Sequence, residues 1–114
     1  MRIPALFLVL FLMLPAPAGA DGFFTSVKDL PLMAGLHEVP GTALLYDKPE
    51  GRLVELVARG PVSKKAAQDF FARTLPQLGW QPRAGSWHRD GEILRLGYSR
   101  ENDELVVYLS INPQ

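Results

Sequence analysis

Asp90-Gly91 stands between two runs of alternating apolar and polar residues, Trp87–Arg89 and Glu92–Tyr98. A two-residue β-turn needs positive φ at both central positions, and Asp-Gly accepts it at little steric cost. The dipeptide therefore reads as a tight hairpin that sets Arg89 opposite Glu92, His88 opposite Ile93 and Trp87 opposite Leu94. Alternation then puts Trp87, Leu94, Leu96 and Tyr98 on one face of a sheet. A further strand, Glu104–Ile111, follows a turn within Arg100-Glu101-Asn102-Asp103. A two-residue loop there would set Glu101 against Glu104, which is unfavourable. A four-residue loop is the expectation, with Tyr98 opposite Leu105, Leu96 opposite Val107 and Leu94 opposite Leu109. Either even length keeps the same residues on the same faces.

Upstream, Thr42–Asp47 and Arg52–Arg59 are β-rich runs separated by Lys48-Pro49-Glu50-Gly51. Pro followed by Gly in this spacing predicts a three-residue loop with a bulge, placing Leu44 and Tyr46 on the face of Val54 and Leu56. A four-residue loop would set Leu44 across from Glu55. Gly60-Pro61 ends the second run, and Ser63 is a helix N-cap before Lys64. At a 3.6-residue period Ala67, Phe70, Phe71, Thr74, Leu75 and Leu78 form one stripe. Pro76 falls on the far side and kinks the last turn, and Gly79 stops the helix. The expected fold is α+β: a ββ-α-βββ antiparallel sheet with one helix packed on one face. Its core would be Val54, Leu56, Phe71, Leu78, Trp87, Leu94, Leu96, Leu105, Val107 and Leu109, with Trp80 folded back onto the helix end.

The first twenty residues read as an address. Met1-Arg2 opens a short positive start, Ala5–Leu14 is apolar, and Ala18-Gly19-Ala20 is a small-x-small site before Asp21. This is the pattern of a cleaved secretory signal, because the apolar run is about half the roughly twenty residues a bilayer core needs. A retained anchor shares that physics. Cleavage between Ala20 and Asp21 would leave an extended arm, residues 21–41, and one α+β domain, residues 42–114. The arm carries Phe23, Phe24, Val27, Leu30, Leu32, Met33 and Leu36, too apolar for a free linker, and is expected to lie across the domain.

Composition narrows the partners. The chain has 12 basic and 12 acidic side chains, with no basic stripe for nucleic acid and no polybasic run for an anionic membrane. Membrane contact is expected only transiently, through the signal. With 0 cysteines there is no disulfide staple, no thiol chemistry and no lipid attachment at the cleavage site. The expected compartment is the periplasm, as a soluble protein, or the extracellular medium.

No arrangement of residues reads as catalytic. The serines lack a nucleophile-elbow context, the carboxylates cluster at hairpin tips, and the glycines are turn glycines. His37 and His88 are the only imidazoles and have no third ligand at metal-site spacing, so neither metal nor cofactor is expected. The remaining candidate is the second sheet face, with His88, Ile93, Arg95, Val106 and Tyr108, where Arg95 opposite Tyr108 would form a cation–π pair. Such a face could dock another envelope protein or a second copy. It also reads as an ordinary wet sheet face. The alternative function is a small-molecule or lipid carrier, with a pocket between helix and sheet lined by Phe70, Phe71, Trp80 and Trp87.

Phe70-Phe71, followed by Leu75-Pro76-Gln77-Leu78-Gly79-Trp80, resembles a pattern in uncharacterised exported proteobacterial domains. Their helix reads Phe-Tyr, then Leu, then Leu-Gly-Trp before a β-hairpin. Leu30-Pro31-Leu32-Met33-Ala34-Gly35-Leu36 is similar to their Pro-x-x-x-Gly lead-in, and Phe71 stands where a Tyr is common. The resemblance implies a fold and an envelope location, and it transfers no catalytic residue. The sequence therefore points to a non-enzymatic, exported interaction module.

Overall fold

The computed structural model describes residues 21–114; the expected signal, Met1–Ala20, lies outside them. The strands are β1 (Gly22–Phe23), β2 (Pro31–Leu32), β3 (His37–Glu38), β4 (Leu44–Lys48), β5 (Gly51–Gly60), β6 (Gln81–Arg83), β7 (Ser86–Arg89), β8 (Glu92–Glu101) and β9 (Glu104–Pro113). The helix α1 (Lys64–Thr74) lies between β5 and β6. β1 pairs with β2, and the others form one sheet ordered β3-β5-β9-β8-β7-β6, with β4 also on β5. All pairings are antiparallel. The α+β architecture is thus as expected, with short additional strands.

The β7–β8 hairpin has the expected pairs, and Asp90 (φ 46°) and Gly91 (φ 78°) supply the left-handed turn. A similar turn at Ala84 and Gly85 makes β6, which the sequence reading did not include.

Two registers differ from expectation. Glu101 does pair with Glu104, around Asn102 (φ 49°) and Asp103 (φ 64°). Tyr98, Leu96 and Leu94 therefore face Val107, Leu109 and Ile111. The repulsion is relieved from outside the hairpin: Arg59 Nε lies 2.8 Å from Glu104 and its Nη1 lies 3.7 Å from Glu101. The shift is two residues, so every face is preserved. At the other hairpin, Lys48 pairs with Gly51 and Leu44 with Glu55. Leu44 and Tyr46 thus lie on the face opposite Val54 and Leu56. β4 is an edge strand whose residues are all exposed, so burial offers no core face to select the other register.

Ser63 caps α1 by accepting the Ala66 N–H at 3.0 Å. The helix ends at Thr74 rather than running kinked to Leu78. Pro76 lacks the N–H a further α-turn needs, and Pro76–Leu78 tightens into a 3-10 turn. Gly79 (φ 93°) then reverses the chain, its N–H reaching the Pro76 carbonyl while the Trp80 N–H reaches that of Leu75. This throws Trp80 into the core, where it is 1% exposed.

Of the expected core, Val54, Leu56, Phe71, Leu94, Leu105, Val107 and Leu109 are buried, while Leu78, Trp87 and Leu96 pack partly buried against them. The segment read as an arm joins the same core through Phe24, Val27, Leu30 and Leu36. It docks closely: a Cβ on Gly60 would fall 1.8 Å from the Gly35 carbonyl oxygen, so only glycine fits where this segment crosses β5.

Candidate functional site

The helix covers one face of the sheet, and the register assigns the other face its residues. His88 and Ile93 are cross-strand partners, Arg95 faces Ser110, Tyr108 faces Gly97, and Val106 lies between Arg59 and Ser99. All five expected residues share this face, and not all of them can touch a partner. Val106 is 2% exposed, and Arg59 beside it reaches along the strand to the Glu101–Glu104 tip. The expected Arg95–Tyr108 stack does not form, because the two-residue turn moves Tyr108 opposite Gly97. Tyr108 instead lies against the space a Gly97 side chain would fill, 3.8 Å from a Cβ built there, and stays 44% exposed.

Arg95, Gly97, Tyr108, Glu55 and Val57 line an open groove of about 430 Å³. One wall is Thr42, in the loop between β3 and β4. There the chain leaves the edge of β5 after the Val39 N–H meets the Val57 carbonyl, and the Thr42 hydroxyl turns back to the Val39 carbonyl at 2.7 Å. Glu55, Val57 and Thr42 were not legible as site residues, since their placement depends on which strand borders β9.

At the β6 end of this face, Ser86 Oγ donates to the Arg83 carbonyl (3.1 Å) and lies 2.9 Å from His88 Nε2. With the serine proton committed to that carbonyl, Nε2–H is the donor to Ser86. His88 Nδ1 is then a bare acceptor, buried and without a partner. Burial, then the charges of Arg83 and Arg95, push the imidazole below its ordinary pKa. No carboxylate orients the ring, so this pair lacks the arrangement of a nucleophile and its base.

Comparison with family models, curated proteins and solved structures finds no match. The site is therefore read from its own chemistry.

The residues proposed for a carrier pocket do not surround one cavity. Phe71 and Trp87 border a groove of about 240 Å³ beside the helix. Phe70 borders a separate one of about 170 Å³ next to Phe23 and Pro31. Trp80 is buried beneath Arg89, whose guanidinium carbon lies 4.2 Å from the centre of its ring system. Among the described residues, no cluster of three or more His, Asp or Glu could hold a metal, and no helix is long and apolar enough to cross a membrane.

An ion network on the helix side ties the N-terminal segment to the sheet. Arg52 Nε donates to Glu92 at 2.7 Å, and Asp29 accepts from Arg52 at 3.0 Å and from Arg89 at 2.9 Å. Burial pushes the Asp29 carboxyl up, but hydrogen bonds from Arg52 and Arg89 and the charge of Arg52 outweigh it. Asp29 therefore titrates below its ordinary value of 3.8. Its stabilising contribution is present above that value and is lost as pH falls through the folded pKa. Asp29→Asn is accordingly expected to lower the urea midpoint near pH 6, with the gap to wild type closing near pH 2. A constant gap would mean that the charge on Asp29 does not matter.

Proposed function

We propose that this chain is an exported, non-enzymatic module of the cell envelope that captures another envelope protein through the helix-free face of its sheet. The observation that carries this reading is the open groove where a half-exposed tyrosine, Tyr108, lies beside an arginine, Arg95, that no carboxylate engages. Tyrosine and arginine are the side chains most often found at the energetic centre of protein interfaces. Tyr offers a rigid apolar body with a polar tip, and Arg a fan of donors. The edge strand β4 extends the surface with Leu44 and Tyr46 exposed on the same face. Export rests on the reading of Met1–Ala20 as a cleaved signal, which places the domain in the periplasm.

Arg95→Glu and Tyr108→Ala are each expected to reduce partner capture at least about tenfold. Both side chains are exposed, so the melting temperature should hold within a few degrees. Capture from periplasmic extract, quantified by mass spectrometry against the wild-type bait, reads the first. Circular dichroism reads the second. Undiminished capture by both folded variants would remove this face from the function.

A further inference from the structure

We infer that Arg83 and Arg95 together form the recognition point for an acidic polypeptide segment, an assignment that rests on the reading of this face as a docking surface. The inference begins with where the arginines of the described residues place their guanidinium groups. Arg52, Arg59 and Arg89 are in ion pairs with carboxylates. Arg100 donates to the carbonyls of Val62 and Asp103, and Arg73 lies over the Phe70 ring. Among the arginines of the described residues, Arg83 and Arg95 alone have no hydrogen bond, no ion pair and no aromatic ring against the guanidinium. These two are also neighbours. Arg83 pairs across the ladder with Ser86, and Trp87 pairs with Leu94, so the next position along sets Ser86 beside Arg95. Two guanidinium stems therefore rise from one sheet face on either side of a serine, two strand spacings or about 10 Å apart.

The face residues next to the pair, Gln81, Ser86, His88, Ile93, Gly97 and Ser110, include no acid, and Glu55, two strands from Arg95 on the side away from Arg83, makes no ion pair with it. The Ser86–His88 hydrogen bond occupies the serine, and the two nearby cations disfavour a third charge on the imidazole, so the site is carried by guanidinium groups alone. A guanidinium fork matches a carboxylate in a bidentate pair, and two forks about 10 Å apart suit two carboxylates on an extended chain.

The same face argues for a polypeptide over an anionic membrane. Glu55 lies in the row of Ser110 and Arg95, and Glu101 and Glu104 stand at its far tip. A flat bilayer would meet all of these carboxylates, and two cations at about 1 kcal/mol each are too few to hold it. A short extended segment crossing β6, β7 and β8 meets both arginines before it reaches Glu55, with the Tyr108 groove beside them for an apolar neighbour.

The test uses a fluorescein-labelled decapeptide of alternating Glu and Val, and its Gln–Val counterpart, titrated against the purified protein by fluorescence anisotropy. The acidic peptide is expected to bind at least tenfold tighter than the Gln peptide. Arg83→Gln with Arg95→Gln is expected to abolish that preference while circular dichroism is unchanged, and raising salt should weaken binding. Equal binding of the two peptides, or a preference that survives in the double variant, would overturn the inference. So would tighter binding to phosphatidylglycerol vesicles than to the acidic peptide. The two readings fail separately. If Tyr108→Ala abolishes capture of the native partner while the double variant does not, the face stands and the acidic recognition falls. If neither affects capture, both fall.

Discussion

Phe24→Ala is expected to lower unfolding free energy by about 3–5 kcal/mol, the usual cost of emptying a phenylalanine site in a packed core. Phe24 is 1% exposed, and its N–H donates to the Leu30 carbonyl at 2.9 Å, closing a turn that also buries Val27. A domain of this size has about 5–15 kcal/mol of stability in all, and without cysteines no disulfide makes up the loss. Phe23, its neighbour, is 53% exposed, and Phe23→Ala should change stability by only about 0.5 kcal/mol. Urea unfolding of the pair measures the contrast. A loss under about 1 kcal/mol at Phe24 would mean that the N-terminal segment is a detachable strap and not part of the core.

Trp80→Ala should cost a similar amount, about 3–5 kcal/mol, and act on three elements at once. The ring is 1% exposed at the end of the 3-10 turn, and the Arg89 guanidinium stacks over it. Arg89 also donates to the Leu78 carbonyl at 3.0 Å and to Asp29. Removing the indole leaves a cavity and frees the arginine that joins the helix end, the β7–β8 hairpin and the N-terminal segment. For a domain of this length each kcal/mol moves the melting temperature by about 4–8 °C, so a fall of more than 10 °C is expected. Trp80→Phe should be much milder, because it keeps a ring under Arg89 and discards a buried indole N–H that has no partner. Thermal unfolding followed by circular dichroism distinguishes the two. Equal losses would mean that the full two-ring shape of the indole, and not merely a ring beneath Arg89, holds the site.

The candidate face was legible in part. Its membership followed from alternation, which survives a register error of two residues, so His88, Ile93, Arg95, Val106 and Tyr108 were placed together correctly. The contacts within it were not legible. The Arg95–Tyr108 pair depended on the β8–β9 register, and alternation alone does not show that Val106, on the same face, is buried. Arg83 was missed because β6 is three residues long and contains Pro82, which leaves too little alternation to read as a strand.

What the chain determines locally is what could be read from it: the Asp90-Gly91 turn, the Ser63 cap, the helix stripe, the Gly79 stop and the two faces of the sheet. Each rests on the backbone preference of one or two residues or on a period of 2 or 3.6. Tertiary structure decided the rest. Glu101 pairs with Glu104 because Arg59, 42 residues before the first of them, reaches both. β4 takes the register that exposes Leu44 and Tyr46 because an edge strand has no core against which to choose. The segment of residues 21–41 enters the core because its apolar side chains are held by turns and two-residue bridges. A period cannot announce such contacts, since they are made between residues distant in the chain.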